Sequence, residues 1–145
     1  MKAVLQRVSS ACVRVEGAEV GRIGTGLLVF LGVLEGDDEA AGDRLLERVL
    51  GYRVFADAAG KMNLALGEVE GALLVVSQFT LAADGRKGRR PSFDAAAPPA
   101  RARELYERFV QRAREQVREI ATGSFGAHMT VEIVNDGPAT FLLES

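Results

Sequence analysis

At 145 residues, with 48% hydrophobic and 26% charged side chains, the chain has the length of one domain and a globular rather than disordered composition. One Cys and one His exclude a disulfide framework and nearly every all-protein zinc site, and leave His128 as the sole imidazole base. The formal net charge is −2, yet residues 84–118 hold ten of the 18 Lys and Arg and only five of the 20 Asp and Glu, so one basic segment stands on an otherwise acidic chain. Such a segment meets a polyanion, or is simply a solvated face.

The opening MKAVLQRVSSACVRV alternates loosely in the manner of a strand, with Cys12 as a small core residue. Lys2, Arg7 and Arg14 interrupt it, so it is no secretory leader, and with one free thiol the expected location is cytoplasmic. Glu16-Gly17-Ala18 is a hairpin signal, with a return strand to Ile23. The run 27–33 is apolar on every residue but Gly32, which predicts a strand buried on both faces and is far too short for a membrane span. Asp37, Asp38 and Glu39 place acids where a helix dipole is positive, and Ala41, Leu45, Leu46, Val49 and Leu50 recur at helical spacing up to Gly51.

Val54 and Phe55 begin another strand, residues 57–60 and 67–71 read as turns, and 72–78 reads as a central strand. Residues 82–98 form a long irregular stretch, and loops of that length are usually functional. Pro98-Pro99 opens a second helix expected to run to about Glu119, with Leu105, Phe109, Ala113, Val117 and Ile120 as its buried stripe. Arg101, Arg108 and Arg112 flank that stripe, while Arg103, Arg114 and Arg118 fall on the wet face. Residues 127–134 and 139–143 are predicted as two last strands joined by a turn at Asn135-Asp136-Gly137-Pro138, with His128 in the first of them. The sum is an α/β fold: one strand-rich layered domain, 1–145, with two main helices packed on β-sheet.

Two segments carry candidate chemistry. In Ser77-Gln78-Phe79-Thr80, the polar Ser77, Gln78 and Thr80 break an apolar run at the C-terminal end of the central strand, where α/β sheets place ligands. Polar groups there form either a satisfied network or a site whose hydroxyl and backbone N–H groups hold an oxyanion. Gly137-Pro138 is either an ordinary turn or a special one, since proline makes a cis bond accessible. Arg86, Lys87, Arg89 and Arg90 put four bases in five residues of the long loop.

SQFTL at 77–81 and NDGPAT at 135–140 together resemble the two motifs of the D-aminoacyl-tRNA deacylases. QRV at 6–8, GLLVFLGV at 26–33, RVLGYRVF at 48–55, GKMNL at 60–64 and RPSF at 90–93 are similar to that family as well. The resemblance implies an esterase that removes D-amino acids, and glycine, from tRNA. It implies a homodimer with its active sites at the interface and no cofactor or metal. Ser77, Gln78, Phe79 and Thr80 would line one wall of the pocket, and a cis Gly137-Pro138 would enter from the partner chain. Arg7 would brace that bend, with Phe125 and Met129 nearby. Two mechanisms stay open: Thr80 as nucleophile, or water attack assisted by the terminal 2′-hydroxyl of the tRNA with the Phe79 and Thr80 amides on the oxyanion. A non-catalytic nucleic-acid-binding module using residues 84–118 and a purely structural oligomer are the rival readings, and Arg86, Lys87, Arg89 and Arg90 are the expected tRNA contacts.

Overall fold

The computed structural model describes residues 1–85 and 89–145. Strand β1, Lys2–Val15, organises the sheet. Its first half pairs with β3, Gly26–Gly32, and its second half with β2, Ala18–Ile23, both antiparallel. Along its other edge β1 pairs with β8, Thr130–Glu144. Beyond β3 the sheet continues in parallel through β6, Ala72–Ser77, to β7, Ile120–Thr122. Phe55–Ala56 (β4) and Met62–Leu64 (β5) form a separate small hairpin.

Parallel neighbours need crossovers, and the two helices lie in them. Helix α1, Glu39–Gly51, lies between β3 and β6 in sequence, and Asp38 caps it by accepting the Ala41 N–H at 2.8 Å. Helix α2, Pro99–Arg114, lies between β6 and β7. Both cover one face of the sheet. There Leu27, Val29, Leu31, Leu73 and Val75 meet Leu45, Val49, Leu105 and Phe109 in one core. The alternate residues Leu28, Leu74 and Val76 meet Val8, Val13 and Ile23 on the other face. That double burial is why β3 and β6 are apolar almost throughout, as the sequence predicts. The sheet also curls until β2 approaches β7: a Cβ on Gly21 would lie 2.5 Å from the Thr122 carbonyl oxygen.

Three expectations are corrected. Helix α2 ends at Arg114, because Ile120 leaves the helical stripe to pair with Leu73 in the ladder on β6; Leu105, Phe109 and Ala113 are buried as expected. Residues 130–144 form one continuous strand rather than two joined by a turn, because β1 offers an unbroken edge on which the segment pairs at both ends. His128 lies exposed in the connection before β8, not within a strand. Arg101 and Arg108 reach across to α1, pairing with Glu39 at 2.9 Å and Asp43 at 2.8 Å. No helix among the described residues is long and apolar enough to cross a membrane.

Candidate functional site

Strand β6 ends at Ser77, and the chain turns at once into a 3₁₀ segment, Phe79–Ala82. The turn is anchored from below. The Gln78 N–H donates to the Leu31 carbonyl at 2.8 Å, which extends the β3–β6 ladder by one bond. The first bond of the 3₁₀ turn runs from the Leu81 N–H to the Gln78 carbonyl at 3.2 Å. The Phe79 and Thr80 amides precede that bond, so neither has an acceptor inside the turn. Gly32 lies directly beneath: a Cβ there would come within 2.9 Å of the Leu81 Cβ and 3.0 Å of the Gln78 oxygen.

The side chains around these amides are open to solvent. Phe79 is 58% exposed and meets Phe93 edge-on at 5.2 Å between ring centres. The Gln78 side-chain amide donates to the Thr80 hydroxyl oxygen. That bond engages the Thr80 oxygen with a donor, where a nucleophile needs a base. Cys12 is no alternative: it is 1% exposed, and burial pushes its thiol above the ordinary range.

Phe125 and Met129 belong to the connection between β7 and β8. Gly123 starts it by donating to the Val75 carbonyl at 3.0 Å, two residues before Ser77. The Tyr106 hydroxyl donates to the same carbonyl at 2.9 Å. Phe125 then packs on Tyr106, with 5.7 Å between ring centres. Met129 turns to the opposite core, and its sulfur accepts the Ser124 N–H at 3.3 Å. Ser77, Gln78, Phe79, Thr80, Phe125 and Met129 thus share one end of the sheet.

Gly137 and Pro138 lie elsewhere. Gln6 pairs with Thr140 and Val8 with Asn135, so residues 136–139 bulge out opposite Arg7 alone. The Gly137-Pro138 bond is cis. Arg7 holds the bulge: its Nε donates to the Asp136 carbonyl at 2.9 Å and pairs with the Asp136 carboxylate at 3.0 Å, while Nη1 donates to the Val54 carbonyl. Asn135, in sequence only part of a turn signal, closes the loop from inside. Its Nδ2 donates to the Arg7 carbonyl at 2.9 Å and the Ala139 carbonyl at 3.3 Å. Short polar side chains that bond nearby backbone are the signal for it. The same side chain gives Gly137 a reason to lack Cβ, since one would lie 2.3 Å from the Asn135 Oδ1.

Within one chain these two groups stay apart. Arg7 pairs with Leu27, which pairs with Leu73, and Ser77 is four residues further along β6. That is about 13 Å along the strands, and three spacings of about 4.8 Å across them. Of the basic loop cluster, Arg89 and Arg90 are exposed, whereas Arg86 and Lys87 lie outside the described residues. Phe93, the edge-on partner of Phe79, falls in the RPSF segment and drew no role from sequence.

Residues 4–144 fit the profile of the family described as D-Tyr-tRNA(Tyr) deacylase. A D-aminoacyl-tRNA deacylase of Azotobacter vinelandii is 58% identical over 145 residues, covering all of both chains. That of Salmonella typhimurium is 58% identical over 144 residues, covering 99% of each. The solved structure described as c-Myc DNA Unwinding Element Binding Protein superposes with a TM-score of 0.95 at 39% identity, covering 100% of this chain and 99% of that one. A probable eukaryotic D-amino acid tRNA deacylase shares the fold, with a TM-score of 0.85 at 19% identity, covering 99% and 98% of the two chains. A family profile that takes in nearly the whole chain, and relatives of equal length, place it without ambiguity: it belongs to the D-Tyr-tRNA(Tyr) deacylase family, hydrolases of the aminoacyl-tRNA ester bond.

Proposed function

We propose that this chain hydrolyses D-aminoacyl-tRNA, and glycyl-tRNA with it, in a pocket shared between two copies. Ser77, Gln78, Phe79 and Thr80 form one wall, and the Arg7-braced bend at Gly137-Pro138 of a second copy forms the other. The observation that carries the chemistry is the pair of Phe79 and Thr80 amides at the mouth of the 3₁₀ turn. Two N–H groups fixed by backbone are what a developing oxyanion needs, and they require no rearrangement when the charge appears.

An aminoacyl ester is already activated, so a modest catalyst suffices. Water adds to the ester carbonyl, and the negative charge that develops on its oxygen falls to the two amides. The tetrahedral intermediate collapses with cleavage of the bond to the ribose 3′-oxygen. The proton from water passes through the neighbouring 2′-hydroxyl to that leaving oxygen, releasing the amino acid and tRNA. Thr80, whose oxygen already accepts from Gln78, helps shape the pocket without forming a covalent bond.

Handedness is decided by exclusion. A bulge pinned at Asp136 and Asn135 presents main chain to the substrate, and pinned main chain cannot swing aside as a side chain does. An L side chain collides with it, a D side chain points away, and glycine has nothing to exclude. The separation of the two groups within one chain supports the two-copy pocket, as does an edge strand with Val134 57% exposed and Leu142 59% exposed.

The test is deacylation of D-Tyr-, L-Tyr- and Gly-tRNA, alongside D-Tyr-tRNA ending in 2′-deoxyadenosine. The expected result is cleavage of the D- and glycyl substrates, sparing of the L-substrate and a severe loss with the deoxy terminus. Cleavage of L-Tyr-tRNA at a similar rate would overturn the exclusion account. Normal cleavage of the deoxy substrate would overturn the assistance by RNA.

A further inference from the structure

The arginines of α2 fall into two sets. Arg101, Arg108 and Arg112 are tied to acids of α1, at 2.9 Å to Glu39 and at 2.8 and 3.8 Å to Asp43. Arg103 and Arg114 are not. Both are exposed, and eleven residues of helix return them to within about 20° of the same side, about 16 Å apart along the axis. Among the described residues Arg103 has one acidic partner, Glu107 at 3.8 Å, and Arg114 has no ion pair. The Arg103 guanidinium lies over the Phe125 ring, 4.8 Å from its centre.

These residues wall a shallow groove of about 580 Å³ that also takes in Gln111, Thr122, Gly123 and the Asp43-paired Arg108. Gly123 donates to Val75, so the groove opens two residues of β6 away from Ser77, beside the candidate pocket, and leads off along α2. Its chemistry suits one class of ligand. Planar guanidinium forks match phosphate oxygens, and an arginine stacked on an aromatic ring offers a flat cationic plate for a base or sugar. An open groove between charged walls is poorly shaped to enclose a small molecule, which wants an enclosed and mostly apolar pocket.

We propose that this groove seats the sugar-phosphate backbone of the acceptor strand of the substrate tRNA. Arg103 and Arg114 neutralise phosphates there while the aminoacyl end turns into the pocket at Ser77 to Thr80. The proposal rests on the deacylase reading above, because it supplies the RNA, but its test does not depend on catalysis.

Binding of uncharged tRNA is followed by fluorescence anisotropy from 50 to 300 mM salt for the wild type, Arg114→Glu and Arg103→Gln/Arg114→Gln, with melting curves to verify folding. Each phosphate contact contributes somewhat under one to the slope of log affinity against log salt. The double variant is therefore expected to flatten that slope by roughly 1.5, and Arg114→Glu to weaken binding at least about ten-fold at low salt. In deacylation, KM for D-Tyr-tRNA rises about ten-fold with kcat nearly unchanged, while hydrolysis of D-tyrosyl-adenosine, which has no acceptor strand, keeps its wild-type KM. Wild-type slopes in both variants would overturn the proposal, as would an equal rise in KM for both substrates. A wild type that binds tRNA with a steep slope yet cleaves neither ester would defeat the catalytic reading and leave the groove standing.

Discussion

At the scale of single residues, the candidate site divides backbone work from side-chain work. If the Phe79 and Thr80 amides hold the oxyanion, Thr80→Ala keeps them and loses only a hydroxyl. Deacylation of D-Tyr-tRNA by that variant is expected to stay within about ten-fold of wild type, whereas loss of a true nucleophile costs on the order of a million-fold. Tyr106 is a second informative residue. Burial pushes its phenol up to about 12, so the folded chain holds that proton more tightly than the unfolded chain does. The stability this contributes is complete below about pH 10 and is lost as pH rises through about 12. Tyr106→Phe should cost about 1 kcal/mol at neutral pH, because the Val75 carbonyl keeps its bond from Gly123. Urea midpoints between pH 9 and 12 should fall less steeply for the variant than for wild type.

At the scale of elements, close approach of backbones decides where substitution is tolerated. Gly26 begins β3 against the first residue of β6, and a Cβ there would sit 1.9 Å from the Ala72 carbonyl oxygen. That oxygen is main chain inside a sheet covered on both faces and cannot yield. Gly26→Ala is expected to destabilise the fold by on the order of 3 kcal/mol, seen as a lowered urea midpoint with an altered β3–β6 pairing in amide exchange. The start of α1 is more forgiving. Asp38→Ala removes the side chain that accepts the Ala41 N–H, and it should cost about 1 kcal/mol with activity retained in the folded fraction.

At the scale of the whole molecule, β8 carries the assembly prediction, because it is long, lies at the sheet edge and keeps apolar residues in solvent. Monomeric proteins protect such edges with charge, proline or a covering element. Here Leu142 and Val134 stand exposed on either side of the Arg7-braced bulge. If a second copy covers them, sedimentation should show about twice 15.5 kDa. Leu142→Lys should shift the protein toward monomer and lower D-Tyr-tRNA deacylation in proportion. An active, folded monomer would end the shared-pocket account.

Elements whose signals are local could be read along the chain alone. The hairpin at Glu16-Gly17, the doubly apolar strands β3 and β6, the acid-capped start of α1 and the buried face of α2 all follow from side-chain period and capping chemistry. The two candidate segments stood out as well, since polar residues are conspicuous when they interrupt an apolar strand end and a Gly-Pro pair is conspicuous anywhere. Whatever depends on distant partners emerged with the packed fold. Ile120 joined a strand rather than the stripe of α2 because β6 offered residues 120–122 a parallel edge, and the two halves of β8 became one strand because β1 paired with both. No local signal could show that Asn135 pins the bulge from inside, or that Arg103 and Arg114 are left over once Asp43 and Glu39 have taken the other arginines of α2. Those facts depend on which chain segments meet in space, and the pairing of edges and charges across the sheet settles that.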